Sequence, residues 1–306
     1  MEEVIKYNLE NYEYATLNDY GYHSFKFWKV LWKIASIILL VLTIFMLYYA
    51  IIVIAIQSFN SSASTTKFTG FTFDNYKNMF AKRELTNSII NTFEISIFAS
   101  LIAIVLGTFI GIGAHYMPPK MRSHLIFLNN IPLLNADIVT GIAFRLIFSL
   151  FLVFNPYLFG FWTILIAHVY FILPYIVLSV MPKMKEIDPN ILDASLDLGV
   201  KPMKSLWKVI IPAIKGGIFS GALLAFTISF EDFVVGYFTR GNGFNTLSIW
   251  IYSSMGRKDL DPGVYAFSTA LTFLMIAGVI LYNVLGGRIK AHKASKELKK
   301  AMKGGK

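Results

Sequence analysis

Four carboxylates stand where a carboxylate is costly: Glu94, Asp137, Glu231 and Asp232 each fall inside a long apolar stretch of this 306-residue chain. A charged side chain near the centre of a bilayer costs at least ~2.5 kcal/mol on insertion scales, so each of these acids needs a partner or water. Glu231 and Asp232 are adjacent, and neighbouring helical residues diverge by about 100°, so they cannot point the same way. Asp232 shares a helical face with Gly221, Ala225 and Ser229, a small-residue stripe suited to packing, which leaves Glu231 as the better placed for water. Arg145, a cation among the same apolar stretches, is positioned to neutralise one of the acids.

Other chemistry is missing. The chain has no Cys and its five His show no ligand spacing, so we expect no disulfide, thiolate nucleophile or metal site. No paired nucleophile and base suggests a catalytic residue. No G-x-x-x-x-G-K-[ST] phosphate loop is present, and KGGK at the end has neither the spacing nor a preceding strand. No cofactor is therefore expected, and any ATP that drives this protein must be bound by another polypeptide.

The elements that carry the acids follow from composition. Hydrophobic residues make up 56% of the chain, aromatic residues 16% and charged residues only 15%, which indicates a protein dissolved in lipid. Six apolar runs are long enough to cross a hydrocarbon core. They span about 34–56, 89–114, 126–154, 161–181, 209–238 and 264–285. Lipid offers no partner to an unpaired amide, so the runs must be helices, and the fold class is all-α, a polytopic bundle of six transmembrane helices. Gly107, Gly111 and Gly113 read as a packing face on the second run, and Pro174 as a kink in the fourth.

Lys and Arg set the orientation. The segments before the first run, between the second and third, between the fourth and fifth, and after the sixth hold 19 of them, against 7 in the alternate loops. Both termini and the loop between the fourth and fifth runs are then cytoplasmic. In that frame Glu94 lies near the outer start of the second run, close enough to the interface to snorkel, and Asp137 near the middle of the third. Glu231 and Asp232 occupy the outer part of the fifth, Asp232 roughly 10 Å of helix before its end. The four together outline an acidic route from the outer face to mid-membrane.

A net charge of +10 invites a nucleic-acid reading, but eight basic residues sit between Arg288 and Lys306, where a juxtamembrane tail beside anionic lipid accounts for them. We expect membrane lipid and no nucleic acid as a partner. Residues 1–33 read as a cytoplasmic extension rather than a cleaved signal peptide, with an interfacial helix around Phe25 to Trp32.

The loop from Asp188 to Pro212 is built with care. Asp188 followed by Pro189 reads as a helix start and Gly199 as its stop, with Ile191, Leu192, Ser195 and Leu198 at helical spacing and Asp193 and Asp197 on the other face. The chain restarts at Pro202 and enters the fifth run through Pro212. On physical grounds alone such a segment either ties two spans together or docks a soluble partner.

Its spacing adds a resemblance. Asp193-Ala194-Ser195, then Gly199, then Val209, Ile211 and Pro212 resemble the EAA signature of ABC importer permeases, with Asp for Glu and Ser for the second Ala. In that family the segment is a coupling helix seated in a cleft of the ATP-hydrolysing subunit. The likeness extends over about 33–285, and FNSS at Phe59, ADIVTGIAF at Ala136 and the stretch from Ser220 to Thr269 are similar to PotC-type permeases of spermidine and putrescine importers. Asn75 stands before Tyr76 where those permeases tend to carry Trp. Tyr237 and Trp250 are aromatic faces available to ammonium groups.

The resemblance implies a type I, MetI-like permease domain over 34–285, with a coupling loop at 182–208 and a basic tail at 286–306. It further implies ATPase coupling through Asp193, Ala194, Ser195, Gly199 and Pro212, and a substrate path past Asp137, Glu231, Asp232 and Glu94. Expected partners are a PotB-like second permease, two PotA-like ATPase subunits and an external PotD-like polyamine-binding protein. An ABC permease for another small solute, and an ATP-independent channel or carrier, are the alternatives.

Overall fold

The structure, a computed structural model, describes residues 2–62, 67–153, 158–188, 190–241, 243–255, 261–278 and 280–281. Among the described residues the secondary structure is helical, with one isolated antiparallel bridge between Asn60 and Phe71. The chain divides into two compact units, one of residues 1–61, 68–73 and 265–306, the other of 62–67 and 74–264.

The first unit holds α1, Glu2–Ser58, a single helix of 57 residues. The extension expected over 1–33 and the first apolar run therefore belong to one uninterrupted helix, of which Trp28–Ser58 is apolar and long enough to cross a membrane. After α1 the chain doubles back at the FNSS motif. Buried Asn60 donates to Gln57 and accepts the Thr69 amide at 3.1 Å, while Phe59 stacks on Phe71 at 5.0 Å and Phe73 meets both rings edge to face at 5.4 and 5.1 Å. Asn60 thus satisfies backbone that the turn leaves without a ladder partner.

The second unit contains α2 (Asp74–Asn78), α3 (Arg83–Tyr116), α4 (Pro119–Leu134), α5 (Asp137–Leu150), α6 (Phe161–Lys185), α7 (Ile191–Asp197), α8 (Pro202–Ser205), α9 (Ile211–Glu231), α10 (Val234–Thr239) and α11 (Leu247–Met255). Its core is made by α3, α6 and α9. Ile95, Ala99, Ala103 and Ile112 of α3 meet Ile164, Ile172, Ile176 and Val180 of α6 and Ile214 and Ala225 of α9. Where apolar faces have no water to escape, close backbone approach supplies the packing. A Cβ at Gly107 would sit 2.7 Å from Ile176, and one at Gly217 2.7 Å from the Ser179 carbonyl oxygen. Gly107 and Gly111 pair with Ile176 and Val180 in ascending order, so α3 and α6 run parallel, while Gly217 and Gly221 meet α6 in descending order and α9 runs antiparallel. Gly113, expected on the same packing face, has open space beside it.

Two of the expected spans are interrupted. The run at 126–154 is split into α4 and α5, bent by 101° across Asn135 and Ala136. Asp137 accordingly lies in the first turn of α5 rather than midway along a continuous span. The run at 209–238 ends at Glu231, and α10 begins three residues later. Asp232 is the residue that closes α9, not one roughly 10 Å of helix before its end.

Four helices are long and apolar enough to cross a membrane, and the bent α4–α5 pair would make a fifth crossing. A shorter apolar helix, α12 (Pro262–Gly278), covers much of the expected sixth run. Six crossings are compatible with this set. Pro189, the rest of that sixth run beyond Leu281 and the basic tail lie outside the described residues.

Candidate functional site

The loop between α6 and α9 is assembled almost entirely from local hydrogen bonds. Asp188 accepts the Asn190 amide at 2.9 Å, forming a turn, so the helix expected to start at Asp188 begins instead at Ile191. At the other end the Gly199 amide donates to Leu196 at 2.8 Å and the Val200 amide to Ser195 at 3.1 Å, the paired bonds of a Schellman stop. Gly199 has φ +77° with open space around it, so glycine is required there by the backbone and not by a neighbour.

Ser195 is buried, donates to the Leu192 carbonyl at 2.7 Å and shares a short hydrogen bond with buried Ser205. The serine that departs from the EAA pattern thereby ties α7 to α8. Sequence reasoning did not find Ser205, whose signal is only a second serine ten residues on. Asp193 and Ala194 are exposed, as are Leu196 and Met203, and Leu198 at the tip is 84% exposed. The turn thus has a satisfied backbone and an uncovered apolar tip. Pro212 cannot donate to the carbonyl four residues back, and the helix accommodates it with a π turn over Leu206–Ile210, where the Ile211 amide reaches Leu206.

At the opposite end of the bundle the carboxylates separate into two kinds. Glu94 on α3, Asp137 on α5 and Glu231 on α9 are exposed on this chain. Phe93 and Phe230, the residues just before Glu94 and Glu231, meet edge to face at 5.1 Å, so those two acids emerge at one level of the bundle. Asp232 is different, with a side chain only 8% exposed. Its Oδ1 accepts the Val235 amide at 3.2 Å and its Oδ2 the Gly236 amide at 2.7 Å, capping α10. Oδ2 also lies 3.3 Å from Nε2 of His168, an ion-pair distance without hydrogen-bond alignment, and His168 Nδ1 shares a 2.8 Å hydrogen bond with Ser229. The small-residue face inferred for Asp232 does carry Ser229, but the two are joined through His168.

Arg145 does not neutralise a carboxylate among the described residues. It donates to the Phe238 carbonyl at the end of α10, 3.2 Å away, and lies over the Phe159 ring at 5.2 Å. A carbonyl at a helix C-terminus carries partial negative charge, which is sufficient reason for a cation to sit there. One face of Tyr237 is likewise taken, by the Arg240 guanidinium at 4.8 Å. Trp250 borders a polar cavity of about 410 Å³ with Glu84, Asn87, Asn91, Arg240 and Asn245. The cavity went unnoticed in the sequence, although Glu84, Asn87 and Asn91 already stand at helical spacing. Among the described residues no cluster of His, Asp and Glu is arranged to hold a metal.

A helical bundle with four membrane-length apolar helices and a bent fifth pair is the architecture of a polytopic membrane protein. Residues 121–291 match the family of binding-protein-dependent transport system inner membrane components, and the chain belongs to that family. The chain is 30% identical to the spermidine/putrescine transport system permease protein PotC of Haemophilus influenzae over 78% of its own length and 91% of that protein. It is 29% identical to PotC of Escherichia coli K12, over 76% of this chain and 87% of that one, and 29% identical to the putrescine permease PotI of the same strain, over 77% and 84%. A bacterial ABC transporter involved in import of the acidic polysaccharide alginate shares the fold, with TM-score 0.58 at 18% identity over 83% of this chain and 95% of that one. The protein is thus an ABC-type permease subunit of the inner-membrane class, all-helical and multi-pass.

Proposed function

We propose that this chain is one half of the translocation pathway of an ATP-driven importer for polyamines. Glu94, Asp137 and Glu231 meet the cationic cargo, and α7 receives the force of a separate ATPase. The observation that carries the reading is the exposure of three of the four intramembrane acids while the fourth is spent on structure. Exposed carboxylates in a membrane segment need a counter-charge or water, and a transported di- or triammonium ion supplies the former. Relatives named for spermidine and putrescine transport support the same cargo.

Both termini and α7 then face the cytoplasm, as the distribution of Lys and Arg favours. Asp193, Ala194, Ser195, Gly199 and Pro212 form the coupling element, with Leu198 as its apolar contact. The working assembly adds a second permease resembling PotB, two ATPase subunits resembling PotA and an external binding protein resembling PotD. Deleting the chain and measuring uptake of radiolabelled spermidine and putrescine tests the cargo. Loss of either uptake supports the reading, and unchanged uptake of both overturns it.

A further inference from the structure

His168 is buried in α6, 1% exposed, and no part of the transport reading uses it. An imidazole between helices is costly unless its nitrogens are engaged, and here each faces a side chain from a different side of one break in the chain. Nδ1 meets Ser229, inside the last turn of α9, at 2.8 Å. Nε2 faces Asp232, just past the end of α9, at 3.3 Å. Asp232 in turn caps the next helix through Val235 and Gly236. Gly236 keeps this arrangement open, since a Cβ there would lie 3.1 Å from the Asp232 carboxylate and 3.6 Å from His168 Nε2. The residue enclosed between Ser229 and Asp232 that faces outward is Glu231.

We propose that His168 is a positioning residue for transport: from α6 it clamps both sides of the break between α9 and α10, and so fixes where the exposed Glu231 carboxylate stands. A continuous helix would carry the chain past Glu231 with no fixed end. The break, held by one imidazole and one carboxylate, instead presents Glu231 as the terminal residue of a helix anchored to α6. This inference rests on the reading of Glu231 as a cargo contact, and its experiment separates the two.

The chain contains no cysteine, so Glu231→Cys gives it a single thiol. In the full complex, labelling of that thiol by a cationic water-soluble methanethiosulfonate reagent, read from the mass of this chain, should change by about tenfold or more when His168→Ala is added. In the chain that keeps Glu231, His168→Ala should raise the KM for spermidine by about tenfold with Vmax held near wild type, and His168→Gln should recover most of the loss by returning a polar side chain of similar reach between Ser229 and Asp232. A labelling rate indifferent to His168, or a defect confined to Vmax and chain abundance, overturns the proposal. If labelling shifts but Glu231→Gln leaves KM unchanged, the clamp stands and the cargo role of Glu231 falls.

Discussion

The chain interrupts its helices in two contrasting ways within one unit. Between α7 and α8 the break is made by a left-handed glycine whose flanking amides are satisfied by backbone carbonyls, with one serine pair joining the two helices and an apolar tip left uncovered. Between α9 and α10 it is made by an aspartate whose carboxylate takes two amides and faces a buried histidine. In the proposed orientation the difference follows from the solvent on each side. Beside water, free carbonyls and amides are inexpensive and the loop can reserve its side chains for a partner. Inside a bilayer each unpaired amide costs several kcal/mol, so the side chains must serve the break itself.

That contrast can be broken from either side. The largest effect is expected at Asp232: replacement by Ala leaves the Val235 and Gly236 amides without their acceptor, and hydrogen bonds to a charged group are worth about 1.5–3 kcal/mol each. We expect the chain to disappear from the membrane fraction by immunoblot, and normal abundance would mean that Asp232 is free for other work. At the loop, Gly199→Val forces a β-branched residue to φ +77°, a penalty of about 1–2 kcal/mol confined to α7. Abundance should stay normal while spermidine uptake falls, and equal uptake would remove α7 from the coupling path.

Smaller effects sharpen the comparison. Glu231→Gln should reduce uptake without loss of chain, because its side chain is exposed and holds no helix in place. Loss of chain instead would make Glu231 structural like its neighbour. Ser195→Ala, which returns the position to the EAA pattern, removes a hydrogen bond worth about 1 kcal/mol, so the Tm of the purified complex should fall by at most a few degrees. A larger drop would show that Ser205 cannot find another partner.

Much of the loop was legible because its signals are local. Gly199 stops the helix for a reason visible within six residues, and the resemblance to the EAA signature linked Asp193 to Pro212. The exposed acids were legible as costly charges. Asp232 was not, since its partners are His168, more than sixty positions earlier, and amides of a helix that apolar residues from Phe233 to Phe238 made look continuous. The bend before Asp137 was hidden in the same way: hydropathy runs straight through Asn135 and Ala136, and only packing reveals the turn. Arg145 misled for a simpler reason, because a helix-end carbonyl attracts a cation as an acid does and has no sequence signature.

The central claim is that a separate motor drives this subunit through the tip of α7. Isolating the tagged chain from its native membrane in mild detergent, with Leu198 intact and as Leu198→Asp, tests it most directly. We predict that an ATP-hydrolysing subunit accompanies the intact chain and is lost or depleted with the variant. An intact chain that emerges without such a subunit, or a variant that retains it fully, would contradict the account.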